Sequence, residues 1–176
     1  MRREDLEVAL RSVPNGAGAG ALPRFLDLVD RHDRPWSRTL WDPGHLTASA
    51  FVLHPDLDRV ALVDHPIIGR PLQPGGHVED TDCDLESAAR REVREELGLA
   101  DLDGHGVIDL DVHRFPEVEQ QPPHLHFDVR YLFVSASGRL RPAPGEAVAR
   151  WIRTGDLTTV EPTIRRAVAA AGRVLA

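Results

Sequence analysis

Apolar residues recur along this chain at two spacings, and the switches between them lay out the elements. Leu6, Ala9, Leu10 and Val13 follow a helical period over residues 4 to 13, and the stretch from Pro14 to Gly20 breaks it. Leu22, Phe25, Leu26 and Val29 form one stripe and predict a second helix over 21 to 32. The segment from Arg34 to Gly44, with Pro35, Pro43, Trp36 and Trp41, reads as a loop. Strands are then expected at His45 to His54 and at Asp58 to Asp64, joined through Pro55-Asp56 as a hairpin. Ile67 to Gln73 is read as a short extended piece leading into Pro74-Gly75-Gly76.

Helical spacing returns from Asp84 to Leu97, where Leu85, Ala88, Ala89, Val93 and Leu97 make the buried stripe. Asp84 suits the N-cap, Glu86 suits the positive end of the helix dipole, and Gly98 suits the stop. Gly106 to Phe115 alternates, with Ile108, Leu110 and Val112 on one face and Asp109, Asp111 and His113 on the other. After a polar loop at 116 to 123, His124 to Ser135 alternates as well. Leu125, Phe127, Val129, Tyr131 and Phe133 share one face, and His124, His126, Asp128 and Arg130 share the other. A turn-rich stretch, a strand at Val148 to Ile152 and an alanine-rich helix at Pro162 to Leu175 complete the chain. This order predicts an α/β fold, a mixed sheet flanked by helices. Residues 1 to 44 are expected to be a short helical N-terminal extension and loop, part of the same domain as 45 to 176.

Charge and composition narrow the partners. A chain of 176 residues can bury a sizeable core as one domain. The formal net charge of -7 disfavours sequence-independent nucleic-acid binding, which needs a phosphate-neutralising surface. Every basic residue is arginine, so lysine chemistry is excluded. The single cysteine, Cys83, allows no intrachain disulfide. The N-terminal residues lack the apolar segment of a signal peptide, and no apolar run approaches the ~20 residues of a membrane span. A cytoplasmic protein without a membrane partner is the expectation; a homodimer is compatible with the sequence.

The most informative stretch is Gly75 to Leu99. Glu92, Glu95 and Glu96 fall at i, i+3 and i+4, on one face of a single helical turn. Like charges so placed repel. A hard divalent cation would account for them, and Gly75-Gly76 can bring backbone carbonyls close to a ligand. A solvated helix face neutralised by Arg90, Arg91 and Arg94 is the plainer reading.

The run Arg91-Glu92-Val93-Arg94-Glu95-Glu96-Leu97-Gly98-Leu99, preceded by Pro74-Gly75-Gly76-His77-Val78-Glu79, resembles the Nudix box of the Nudix hydrolases. That pattern is Gly-x5-Glu-x7-Arg-Glu-U-x-Glu-Glu-x-Gly-U, with U a bulky aliphatic residue. The helical half matches at every fixed position. The loop half departs: Gly76 to Arg91 is one residue longer than the pattern, and Cys83 stands where the first glutamate is expected. A one-residue insertion, with Asp82 as the neighbouring carboxylate, is the simplest account.

The resemblance implies a Nudix-type α/β/α sandwich. It also implies Mg2+- or Mn2+-dependent hydrolysis of a phosphoanhydride in a nucleoside diphosphate linked to another moiety, a small nucleotide-derived substrate. By position, Glu92 and Glu96 are the first metal ligands, Glu95 is a third ligand or the general base, and the Gly75 carbonyl is a further ligand. Arg91 orients a box carboxylate. The physics agrees: Mg2+ prefers oxygen ligands, and a carboxylate face meets a diphosphate only through cations.

His124, His126, Asp128 and Arg130 read either as the solvent face of a strand or as the lining of the substrate cleft, with Arg130 the phosphate candidate. A zinc site is a further reading of His124-x-His126, weakened because no third soft ligand stands nearby in sequence. Glu117 and Glu119 are loop carboxylates, surface charges or an alternative base. His77 is expected to shape the turn after the glycines, and Trp36 and Trp41 to pack or to stack on a base. Two rival functions use the same fold. One is a catalytically silent module that senses a nucleotide or binds a protein. The other is an isomerase pairing a catalytic cysteine with a glutamate, which Cys83 would have to serve.

Overall fold

The computed structural model describes residues 1–15, 18–118, 121–159 and 162–175. Its organising strand is β1 (Gly44–Leu53), buried along its whole length. It runs parallel to β6 (His124–Ser135), with Gly44 opposite Leu125 through to Leu53 opposite Val134. On its other edge β1 meets β2 (Arg59–Asp64) at Leu53–Val60, and the short β4 (Gly75–His77) at Thr47–His77, Ala48–Gly76 and Ser49–Gly75. Strand β5 (Leu102–Phe115) pairs antiparallel with β6. Strands β3 (Pro71–Leu72) and β7 (Ala149–Arg153) both flank β2. The result is a mixed sheet of order β3-β2-β1-β6-β5, with β4 on β1 and β7 on β2.

Alternation along β1 divides the core. Leu46, Ala48, Ala50 and Val52 join one apolar cluster, while Phe51 and Leu53 join another. The first cluster packs α1 (Arg3–Arg11), α2 (Leu22–Arg31) and α3 (Leu85–Leu97) against one face of the sheet, through Leu6, Leu10, Phe25, Leu28, Val93 and Leu97. The second packs α4 (Pro162–Val174) against the other face, through Ile164, Ala167 and Ala171. This is an α/β/α sandwich. No helix among the described residues is long and apolar enough to cross a membrane.

Two elements differ from the sequence reading. Ile67 to Gln73 is extended only at Pro71–Leu72. His65 Nδ1 accepts from the backbone N–H of Ile67 and Ile68, at 3.3 and 3.2 Å, and closes a turn there instead. In β5 the register shifts between Gly104 and Asp109. That irregularity sends Ile108 to the α4 side, while Leu110 and Val112 face the α3 side, so the three do not share a face. Trp36 packs against the first cluster and Trp41 is exposed.

Candidate active site

Helix α3 is built to hold three carboxylates in place. Asp84 caps it, its side chain accepting from Ser87 N–H at 2.7 Å while Ser87 Oγ accepts from Asp84 N–H at 2.9 Å. Gly98, at φ 68°, ends it in the left-handed conformation that glycine adopts at least cost. Leu85, Ala88, Ala89, Val93 and Leu97 are buried, which turns Glu92, Glu95 and Glu96 away from the core, with Glu92 and Glu96 against β4.

The two glycines of β4 meet that face directly. Gly75 N–H donates to Glu96 Oε2 at 2.9 Å. A Cβ on Gly76 would lie 2.7 Å from Glu92 Oε1, so glycine is what lets this carboxylate approach the backbone. A Cβ on Gly75 would lie 2.3 Å from Ser49 Cβ, so the close seating of β4 on β1 also requires glycine.

Arg91 ties the arrangement together. Its Nη1 donates to Glu92 Oε1 at 2.8 Å and to Glu95 Oε2 at 3.2 Å, and its Nη2 donates to the His77 carbonyl at 2.8 Å. Asp82 accepts from Arg91 Nε and Nη2, at 3.2 and 3.1 Å, and from Glu79 N–H at 2.8 Å. Asp82 therefore fixes the loop and the arginine at once. Cys83 is exposed and beside residues of α1, with no part in this contact.

Burial pushes the Glu96 carboxyl up to about 7, and neighbouring Glu92, Glu95 and Glu146 add to that, against the opposing hydrogen bond from Gly75. Burial raises Glu92 as well, partly offset by Arg91. Carboxylates held together in a half-buried place, with one arginine between them, are short of positive charge. An all-oxygen donor set with that deficit fits a hard divalent cation such as Mg2+ or Mn2+.

Beyond β4, the α4-side face of the sheet carries rows of polar residues. Register places His45 beside His126 and His113, Thr47 beside Asp128 and Asp111, and Ser49 beside Arg130 and Asp109. One step further along, Phe51 and Leu132 begin the apolar cluster under α4. The polar half faces a cleft of about 490 Å³, whose walls include Gly75, Gly76, Arg70, Gln73, Arg114 and Phe115. Asp128 accepts from Ser49 Oγ at 2.7 Å and from Gln73 Nε2 at 3.3 Å.

The row is not a solvent face: His124, His126, Asp128 and Arg130 are all buried. The alternation in β6 marks two buried faces of different polarity. Arg130 is not a free phosphate ligand either. Its Nε, Nη1 and Nη2 donate to Asp128, Asp109 and Asp111 at 2.9, 3.1 and 3.0 Å, and its side chain is 4% exposed. His124 and His126 belong to a group that the sequence reading missed, because their neighbours come from other strands: His45 from β1 and His77 from β4. Only the backbone carbonyl of His77 meets Arg91; its ring joins this histidine group. Glu117 is exposed, and Glu119 lies outside the described residues.

A family model described as the NUDIX domain matches residues 43–171. The chain belongs to the NUDIX family. Within it, the chain is 28% identical over 131 residues to a protein of Lactococcus lactis subsp. cremoris named probable DHNTP pyrophosphohydrolase, covering 73% of this chain and 77% of that one. Solved structures share the NUDIX fold. A NUDIX-family hydrolase from Clostridium perfringens superposes with a TM-score of 0.54 at 22% identity, covering 73% of this chain and 97% of that one. An Ap4A hydrolase from C. elegans gives 0.56 at 15% identity, with coverage of 74% and 98%. The NUDIX domain of Shewanella oneidensis NrtR, solved with ADP ribose, gives 0.54 at 17%, with coverage of 74% and 88%. The protein is a NUDIX hydrolase, with Arg91, Glu92, Glu95 and Glu96 on the helix of its box.

Proposed function

We propose that this hydrolase uses Mg2+ or Mn2+, held by Glu92, Glu96 and Glu95 with the Gly75 carbonyl, to cleave a phosphoanhydride in a nucleotide-derived small molecule. The observation that carries this reading is the approach of Glu92 and Glu96 to the backbone of Gly75 and Gly76, under the hold of Arg91. When bound there, the ion supplies charge neutralisation for the diphosphate and acidifies water. The chain's own residues do the rest. Arg91 keeps Glu92 and Glu95 in place, and Gly75 N–H orients Glu96. Glu95, the more exposed of the box carboxylates that Arg91 holds, serves as a third ligand or accepts the proton released from water at a carboxylate oxygen. The cleft beyond β4 receives the rest of the substrate.

The family relative named a DHNTP pyrophosphohydrolase favours release of pyrophosphate from a triphosphate as the first activity to seek. Residues 45–176 would then form the catalytic domain, with 1–44 packed on it. A cytoplasmic enzyme without a nucleic-acid or membrane partner fits the acidic chain and its single cysteine.

The test is hydrolysis with Mg2+ and with Mn2+ across nucleoside triphosphates, DHNTP, ADP-ribose, dinucleoside polyphosphates and nucleotide sugars. Running it in 18O-water identifies the phosphorus attacked. Metal-dependent turnover of at least one class is expected. No turnover on any of them, with nucleotide binding retained, would instead favour a silent sensing module.

A further inference from the structure

Four imidazoles from three strands converge beside the cleft. His45, His77, His124 and His126 each offer a ring nitrogen, and these atoms all lie within 4.8 Å of one another. His124 Nε2 and His126 Nε2 are 3.1 Å apart. A tetrahedral ion with metal–nitrogen bonds of about 2.0–2.1 Å sets its ligands roughly 3.3 Å apart, so one edge already lies near that spacing and every other edge is at most 4.8 Å.

The outer nitrogens are arranged for ligation. His45 Nδ1 lies 3.2 Å from the Leu40 carbonyl and His124 Nδ1 lies 2.7 Å from the Pro122 carbonyl. Each carbonyl can only accept, so both rings carry their proton on Nδ1 and present a lone pair at Nε2. This is how carbonyls orient imidazole ligands in metalloproteins. His45 is fully buried, and among the described residues its Nε2 has no hydrogen-bond partner. An acceptor nitrogen buried in that position is costly unless a hydrogen-bond donor or a metal ion meets its lone pair.

We propose that His45, His77, His124 and His126 form a closed structural site for a borderline-soft divalent transition ion, Zn2+ foremost, separate from the carboxylate site on α3. Four nitrogen donors suit Zn2+ and not Mg2+, which selects oxygen. Four protein ligands complete a tetrahedron, which marks a structural ion in place of a catalytic one. Its position gives it a purpose. The strand β4 is only three residues long, and its His77 would be tied by the ion to β1 and β6. The His77 carbonyl accepts from Arg91 at 2.8 Å. The ion would therefore hold the glycine strand against which the box carboxylates are set.

The test needs no substrate. Protein stripped of metal is titrated with ZnCl2 calorimetrically in millimolar Mg2+, and retained zinc is counted by elemental analysis after gel filtration. The expected result is one Zn2+ per chain, bound at micromolar concentration or tighter. It persists in a Glu92→Gln, Glu96→Gln double variant and weakens at least a hundredfold in His126→Asn and in the more exposed His77→Ala. The Co2+-loaded wild-type protein should show the strong visible bands of tetrahedral nitrogen ligation, a readout that stands even where a histidine variant fails to fold. Absence of Zn2+ binding by the wild type, weak octahedral Co2+ bands, or zinc lost with the glutamates and kept without the histidines would each overturn the proposal.

Discussion

Asp82 and Arg91 form a two-point ion pair across the box loop, with Asp82 accepting from Arg91 Nε at 3.2 Å and from Nη2 at 3.1 Å. The pair is nearly sealed, the aspartate side chain being 6% exposed. Asp82 also accepts from Glu79 N–H at 2.8 Å, so it holds the box loop to Arg91. Removing one partner of such a pair leaves a charge without its hydrogen bonds. Asp82→Ala should therefore destabilise the protein by about 1.5–3 kcal/mol in urea denaturation and reduce turnover through a loosened Arg91. Asp82→Asn, which keeps the shape without the charge, should fall between. Unchanged stability and turnover in the alanine variant would show that the pair contributes nothing.

Gly76→Ala tests the approach of Glu92 with one added carbon. The new Cβ would sit 2.7 Å from Glu92 Oε1, so the carboxylate must move. Backbone conformation at residue 76 needs no glycine, since its φ is not in the left-handed range. The fold should survive while the activating Mg2+ concentration rises at least tenfold, measured by titrating activity with metal. An unchanged Mg2+ dependence would remove Glu92 from the ligand set.

Glu96→Gln keeps the volume and the hydrogen bond from Gly75 N–H and removes the charge. Turnover should drop about a thousandfold, roughly 4 kcal/mol of transition-state stabilisation, with an unaltered circular dichroism spectrum. The wild-type protein should also bind Mg2+ more tightly as pH rises through about 7, where this buried carboxyl ionises. Near-normal turnover in the variant would sink the assignment.

The helical half of the site was legible because one turn of helix brings Glu92, Glu95 and Glu96 together whatever the rest of the chain does. The capping residues Asp84 and Gly98 are likewise local signals, and both stand where expected. The histidine group was not legible. Its members are 32, 47 and 2 residues apart in sequence order, and only pairing of β1 with β4 and β6 unites them. Arg130 misled for a related reason. Alternation along β6 separates its two faces but does not say whether the polar one meets water or the carboxylates of β5. The displacement of Ile108 came from a register shift, which leaves no mark in a pattern of apolar and polar residues.

The Arg130 network carries the last prediction. Asp109, Asp111 and Asp128 share this one buried guanidinium, and Arg166 reaches Asp109 and Asp111 from α4 at 2.8 and 3.3 Å. Arg130→Met leaves buried Asp128 without its arginine, and Asp109 and Asp111 with Arg166 alone, and should cost about 3–5 kcal/mol in denaturation experiments. Within the network, burial would raise the Asp111 carboxyl, but the His113 hydrogen bond together with Arg130 and Arg166 outweighs it and holds the group down at about 2. A carboxyl lowered in the folded state contributes stability that is present above its unfolded value and is lost as pH falls through the folded one. The network should therefore lose on the order of 2 kcal/mol between about pH 4 and pH 2. Asp111→Asn should flatten that decline in urea denaturation at stepped pH. An equally steep acid limb in the variant would place the acid lability elsewhere.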